Sequence, residues 1–327
     1  MSKAGVTVSV VLCTYNGEKY LRDQLQSILD QTRLPDEILI SDDGSTDSTL
    51  QIVEEFTSLN PDAKTPQWTV LTRNAPLGVS ENFASALGHA RGEFIALADQ
   101  DDLWEPDRLE KQLGLFREGT LLVHSDASLV DESGTKTGTL MSALRLTRGE
   151  RKNLEEGRAL GVLLRRNVVT GATTMIHSSL IRQALPIPSG WIHDEWFALV
   201  AAVQGGIVFS ELPLIRYRQH AGNEIGATKT DYTEAKRRLR EKRSDFFRRK
   251  LLRNEGITQL LEQQAAWLSP NAQLILTAKV AFDVWRSCLP ESRAHRVVPI
   301  LRRWVSGDYG SFARGYVDVI RDLSLND

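Results

Sequence analysis

The 327-residue sequence is poor in cysteine: Cys13 and Cys288 stand far apart, one in an apolar run and one in a mixed tail. Two such thiols make neither a disulfide framework nor a zinc knuckle, and they fit a reducing cytosol. The six histidines are scattered without HExxH spacing, which argues against a structural zinc site. Long apolar runs are missing as well. The longest uncharged stretches, Asn167–Ile181 and Trp196–Ser210, fall short of the roughly 18 residues that a membrane span requires. Val6–Cys13 is too short for a signal peptide's apolar core, and a helical pattern rather than a cleavage site follows it. Neither sign of charge dominates: 40 Lys and Arg oppose 42 Asp and Glu, for a net charge of -2. A dedicated nucleic-acid binder is strongly basic, so no nucleic-acid partner is expected. The standard phosphate grips are also absent. The residues after the first apolar run read Thr14-Tyr15-Asn16-Gly17-Glu18, not GxGxxG, and neither a P-loop nor a GxSxG elbow occurs.

What remains is a globular composition, 41% hydrophobic and 25% charged, in a chain long enough for a large core. The first half alternates two periodicities. Val6–Cys13, Glu37–Ile40, Trp68–Leu71 and Glu93–Ala98 read as strands. Glu18–Gln31, Ser45–Leu59, Ser80–Ala90 and Glu105–Arg117 read as helices, with Ser80 expected as an N-cap and Pro106 in a first turn. This alternation implies βαβ crossovers and a mostly parallel sheet with helices on both faces. In the second half Leu121–His124, Ala127–Val130, Val168–Ile176, Ile207–Phe209 and Leu214–Tyr217 are expected strands. Ser178–Leu185 and Ile192–Gln204 are expected helices, and the stretch from Gly138 to Val162 is expected to be loop with some helix. From about Ala227 the pattern is helical. Lys229–Arg253 carries 11 Lys or Arg against four acids, so it is +7 and the rest of the chain is -9.

Open parallel sheets bind ligands beyond the carboxyl ends of their strands. The residues there are Thr14-Tyr15-Asn16-Gly17, Asp42-Asp43-Gly44-Ser45, Arg73-Asn74 and Asp99-Gln100-Asp101-Asp102. Asp99, Asp101 and Asp102 repel one another unless a cation is near, and such a cluster after a buried strand suits Mg²⁺ or Mn²⁺. A polar turn whose acids favour the next helix is the plainer reading. For Asp42 and Asp43, a turn and the recognition of base or ribose donors are equally open. Acids in place of glycines at this edge suggest a metal-bridged nucleotide. Trp104, Trp191 and Trp196 are expected in the core or a pocket wall.

In order and spacing these segments resemble the inverting glycosyltransferases of family 2. The pieces are SVVLCTYNGEKYLRDQLQSILDQT, ILISDDGSTDST, RNAPLGVSENFASAL, GEFIALADQDDLW, HSDASLV, VTGATTMIHSSL, HDEWFALVAAVQGG and YRQHAGNEIG, from Val8 to about Gly226. TYNGEKYL, ADQDDLW and YRQH are most similar to the rhamnosyltransferase-like branch of surface-polysaccharide enzymes. The resemblance implies a GT-A fold, with a Rossmann-like mixed sheet, over residues 1–226 and a basic helical region over 227–327. It implies transfer from a dTDP- or UDP-linked sugar donor to a glycan or lipid-linked acceptor, with a divalent cation, Mg²⁺ or Mn²⁺. Thr14, Tyr15, Asn16, Asp42, Asp43, Arg73, Asn74 and Asp99 match donor nucleotide positions. Asp99 and Asp101 match the DxD motif, and with His220 the metal position. Asp194 matches the catalytic base, although the adjacent Glu195 leaves that assignment open. The implied location is cytoplasmic. Contact of the basic region with the inner face of the cell membrane stays open, as do a solvated helix face and homo-oligomer formation. So does interfacial adsorption of His295–Val305, whose default is core packing. Two other classes stay open: a sugar-nucleotide pyrophosphorylase, which should carry a GxGxR-type loop that this sequence lacks, and a non-catalytic carbohydrate-binding scaffold, which would not need both the acids and Asp194.

Overall fold

A computed structural model describes residues 5–58, 66–220, 242–263 and 267–325. Four strands, β1 (Val8–Thr14), β2 (Glu37–Asp42), β3 (Gln67–Thr72) and β4 (Phe94–Ala98), run parallel in the order β3-β2-β1-β4. Their connections contain α1 (Leu21–Leu29), α2 (Thr49–Ser58) and α3 (Val79–Leu87). The register sets Thr14 level with Asp42, and Leu12 level with Ala98, so the strand ends form one edge.

Beyond β4 the sheet becomes mixed. β4 pairs antiparallel with β8 (Thr174–His177), which pairs antiparallel with β6 (Leu122–Val130). β6 runs parallel to β9 (Ile207–Arg218) and carries the short β7 (Lys136–Thr139). β9 closes against the two-residue β5 (Leu103–Trp104). The later helices are α4 (Arg108–Leu115), α5 (Leu140–Ala143), α6 (Arg148–Glu155), α7 (Leu160–Leu163), α8 (Ser178–Ala184) and α9 (His193–Val203). A further set follows: α10 (Arg243–Gln263), α11 (Pro270–Ser287), α12 (Arg293–Val305), α13 (Asp308–Phe312) and α14 (Tyr316–Ser324).

The central strands read as continuous apolar runs because helices cover both faces. Val10, Leu12, Ile38, Ile40 and Ala96 pack with Leu21, Leu25 and Ile28 of α1, Ile52 and Phe56 of α2, and Leu109 of α4. The alternate residues Val11, Leu39, Ile95 and Leu97 pack with Phe83 and Leu87 of α3 and with Phe197 and Leu199 of α9. Ile257 and Leu260 of α10 and Leu276 of α11 join this second core, so the described start of the C-terminal helical region is tied to the sheet domain. The expected boundary at residues 226/227 and the part of the basic run before Lys242 lie outside the described residues.

Several expectations change in detail, each for a visible reason. The sheet is mixed, as the GT-A resemblance implies, and not mostly parallel as the strand–helix alternation suggests, because β8 inserts antiparallel between β4 and β6. Val168–Ile176 pairs only from Thr174: Gly171–Thr173 is a short 3₁₀ turn, closed by the Thr173 and Thr174 hydroxyls donating to the Thr170 carbonyl. The two short strands around Ser125 are one strand, with a register shift at Ser125/Asp126. Ile207–Phe209 and Leu214–Tyr217 likewise join into β9. Ser80 is not the cap of α3: the cap position is Gly78, and the preceding loop is anchored instead by the Asp43 carboxylate. Trp104, Trp191 and Trp196 are all buried, as expected.

The last helices pack around a buried cation. Arg286 is fully buried and donates to both Asp322 carboxylate oxygens (2.7 and 2.8 Å) and to Asp318 (3.2 Å), while the Tyr309 hydroxyl donates to Asp322 (2.7 Å). Burial raises the Asp318 carboxyl, but Arg286 and the Arg314 N–H outweigh it and bring the carboxyl down to about 2. Breaking a buried pair strands its partner's charge, so Arg286→Ala should cost about 3–5 kcal/mol. Urea denaturation followed by circular dichroism reads this; a loss under about 1 kcal/mol would contradict it.

Candidate active site

The site begins with how the strand-end loops hold one another. Asp42, at the end of β2, is buried and accepts from the Thr14 hydroxyl (2.8 Å), the Ser45 N–H (2.8 Å) and the Ser45 hydroxyl (2.5 Å). Asp43 accepts from the N–H groups of Leu77 (2.9 Å) and Gly78 (2.8 Å) and pairs with Arg73 (3.2 Å). Gly44 has a left-handed φ of 87°, and a Cβ there would sit 3.3 Å from the Arg73 carbonyl oxygen, so glycine suits this turn. Asn16 also has a positive φ, 48°, and its side chain accepts from the Thr46 N–H (2.9 Å). These acids therefore fix the walls of the edge. Tyr15 and Asn74 remain exposed at its mouth.

Gln100, for which the sequence suggests no role, clips the first loop. Its Oε1 accepts from the Tyr15 N–H (2.9 Å) and its Nε2 donates to the Tyr15 carbonyl (3.0 Å). The middle residue of Asp-Gln-Asp thus ties the acids after β4 to the loop after β1.

The acids after β4 occupy three environments. Asp99 is half-buried; burial, then the charges of Asp101 and Asp194, push its carboxyl up to about 7. Asp102 is buried, and burial raises its carboxyl well above the usual range; its Oδ1 accepts from the Arg218 N–H (3.1 Å). Asp101 meets His220 at 2.8 Å between Oδ2 and Nε2. Beneath them lies the fully buried Arg108, stacked on Trp104 and donating to the Leu97 carbonyl (3.0 Å). Its charge pulls Asp99 and Asp102 downward against burial.

Asp194, in the first turn of α9, reaches the same edge: it holds the Gly171 turn just before β8, whose Met175 lies level with Ala96 near the carboxyl end of β4. Its Oδ2 accepts from the Gly171 N–H (3.0 Å) and its Oδ1 from the Glu195 N–H (2.6 Å). Burial first, then the Glu195 charge, push its carboxyl up to about 7. Gly171 allows this approach: a Cβ there would lie 2.8 Å from His193 Nε2. His193 is stacked on Phe83, and burial lowers its imidazole to about 3. Glu195 points elsewhere and pairs with Arg253 at 2.8 Å.

Asp101, His220 and Asp99 supply hard oxygen donors and one imidazole, a set that suits Mg²⁺ or Mn²⁺. Among the described residues, no group of three or more His, Cys, Asp or Glu side chains is gathered closely enough to hold a metal ion. A cavity of about 1230 Å³ lies at the opposite edge of the sheet, beside Glu93, Arg117 and His177, and holds none of these residues.

A mixed sheet of this order, with acids at its carboxyl edge and helices on both faces, is the GT-A glycosyltransferase fold. It is similar to the crystal structure of S. aureus TarS 1-349 in complex with UDP-GlcNAc, with a TM-score of 0.56 and 19% identity, over 85% of this chain and 72% of that one. The family model for Glycosyl transferase family 2 matches residues 9–177, and the chain belongs to that family. Among curated proteins it is 31% identical to the uncharacterized protein Rv1520 of Mycobacterium tuberculosis, over 65% of this chain and 59% of that protein. It is 34% identical to the Bacillus subtilis protein named "Putative teichuronic acid biosynthesis glycosyltransferase TuaG", over 39% of this chain and 49% of that one. The chain thus spans about half to three fifths of the length of these relatives.

Proposed function

We propose that this protein is an inverting glycosyltransferase. It moves a sugar from a dTDP- or UDP-linked donor to a glycan or lipid-linked acceptor of a surface polysaccharide. Family membership supports the class of reaction, and TuaG's name supports a polysaccharide product. The rhamnosyltransferase-like segments make dTDP-rhamnose the first donor to test. The observation that carries the reading is Asp194: a carboxyl raised to about 7, held by two N–H groups, at the edge that also carries Asp99.

In this reading Asp194 accepts the proton of the acceptor hydroxyl while that oxygen attacks the anomeric carbon. The bond from that carbon to the diphosphate breaks, and the nucleoside diphosphate leaves with the electron pair. A base with a pKa near the working pH is well matched to such a transfer. Thr14, Tyr15, Asn16, Asp42, Asp43, Arg73 and Asn74 form the nucleoside wall, with Asp99 toward the ribose. Asp101 and His220, with Asp99, would hold a divalent cation, which when bound neutralises the leaving diphosphate.

A thermal-shift screen tests the binding half of the proposal. UDP or dTDP with Mn²⁺ should raise Tm by several degrees, and EDTA should remove most of the gain. No shift with any nucleoside diphosphate, with or without metal, would contradict it.

A further inference from the structure

The C-terminal helices leave apolar side chains in solvent. On α12, Val297, Val298, Leu301, Trp304 and Val305 follow i, i+1, i+4, i+7, i+8 spacing, which places them on one face. They are exposed, Leu301 by 52% and Val305 by 84%. The helix is anchored from another side by Ile300 and Arg296, both buried, so the stripe is not its packing face. On the neighbouring α14, Tyr316, Val317 and Ile320 are exposed too.

The charges around this face limit what could cover it. The exposed ionisable side chains of α12 are Arg293, His295, Arg302 and Arg303, and the helix contains no acid. The acids of α14, Asp318 and Asp322, are buried on Arg286. The nearest acids in sequence, Glu291 and Asp308, stand beyond the two ends of α12, and Asp308 pairs with Arg303 at 2.8 Å. An apolar stripe bordered by arginines, with Trp304 and Tyr316 exposed beside it, has the composition of a helix lying in a bilayer interface. A second copy packed two-fold on the same face would set these arginines against themselves, which opposes self-association. Among the described residues no helix is long and apolar enough to cross a membrane, so contact would be with the surface layer.

We propose that α12, with the exposed side chains of α14, is a docking surface for anionic lipid bilayers. Leu301, Trp304 and Val305 enter the headgroup boundary, and Arg302 meets lipid phosphates.

The test is sedimentation of the full chain with vesicles of phosphatidylcholine and phosphatidylglycerol, at low and high salt. No donor or acceptor is present, so the result is independent of the transferase reading. Wild type should sediment with anionic vesicles and be released by salt. Leu301→Ser with Val305→Ser should lower the partition coefficient at least about a hundredfold. Arg302→Glu should lower it roughly thirtyfold. Both variants should keep the wild-type Tm, since these side chains are exposed. Three results would overturn the proposal: no sedimentation of wild type at low salt, equal binding to pure phosphatidylcholine vesicles, or a wild-type dimer by light scattering that the double serine variant dissolves. The last would make a second copy the occupant.

Discussion

Asp194→Asn should lower kcat for sugar transfer by about 10²–10⁴, the usual worth of a positioned base. The amide keeps the shape of the side chain and removes its proton-accepting power. It can still accept from one of the two N–H groups, of Gly171 or Glu195, while facing the other with a donor. Against that loss, the variant sheds the cost of a buried charge. In the wild type the carboxyl is pushed up to about 7, so between about pH 4 and 7 the folded chain keeps a proton that the unfolded chain releases. The stabilisation from this site is complete below the unfolded value and lost as pH rises through 7. The two effects oppose each other at pH 8, and Tm should stay within a few degrees of wild type. The same raised carboxyl gives the transfer rate a limb that climbs with pH and levels above about 7; Asp99 is raised to the same range, so Asp194→Asn should shift and shrink that limb. Glu195→Gln is the control. Its carboxylate is engaged by Arg253 at 2.8 Å, so this variant should retain most activity. An inactive Glu195→Gln beside a working Asp194→Asn would reverse the assignment.

The second large effect belongs to Asp101. Asp101→Asn should lower transfer by more than about a hundredfold, because a neutral amide is a poor ligand for a hard cation and charge neutralisation at the leaving group is worth several kcal/mol. It should also abolish the response to metal. Wild-type turnover should fall on adding EDTA and return with Mn²⁺, whereas the residual turnover of the variant should be indifferent to both. His220 meets Asp101 at 2.8 Å, so His220→Ala should shift the Mn²⁺ concentration needed for half activity upward while sparing more of the maximal rate. Full activity in Asp101→Asn would remove the metal role from this residue.

The parts of the fold that local periodicity governs were legible in the sequence. Val10, Leu12, Ile38 and Ile40 sit in β-branched or leucine-rich runs that only a doubly covered strand accommodates. The residues just after those runs are indeed gathered at one edge. What periodicity could not give was long-range pairing. The antiparallel insertion of β8 depends on contacts with β4 and β6, which lie about 50 to 80 residues earlier in the chain. The turn at Gly171 is closed by Thr173 and Thr174 on the Thr170 carbonyl, and its free N–H goes to Asp194, 23 residues later.

Within the site, the acids were found by residue type, but their use of hydrogen bonds was hidden. For Asp43 the sequence leaves a turn and ligand recognition equally open, and its anchoring of the loop before α3 had no local signal. Arg108 had a signal that went unused. Three carboxylates in four residues call for a cation, and an arginine six positions after Asp102 is a natural source within the chain. Gln100 had no such signal, since a glutamine between two aspartates reveals its clip on Tyr15 only in three dimensions.

The central claim is that the carboxyl edge of the sheet activates a nucleotide-linked sugar. Release of nucleoside diphosphate from dTDP- and UDP-sugars by the purified chain with Mn²⁺ tests it most directly. The account predicts release well above the enzyme-free rate from at least one donor, suppressed by EDTA, and reduced in both Asp101→Asn and Asp194→Asn. Release that proceeds unchanged in both variants, or none from any donor despite a folded protein, would contradict it.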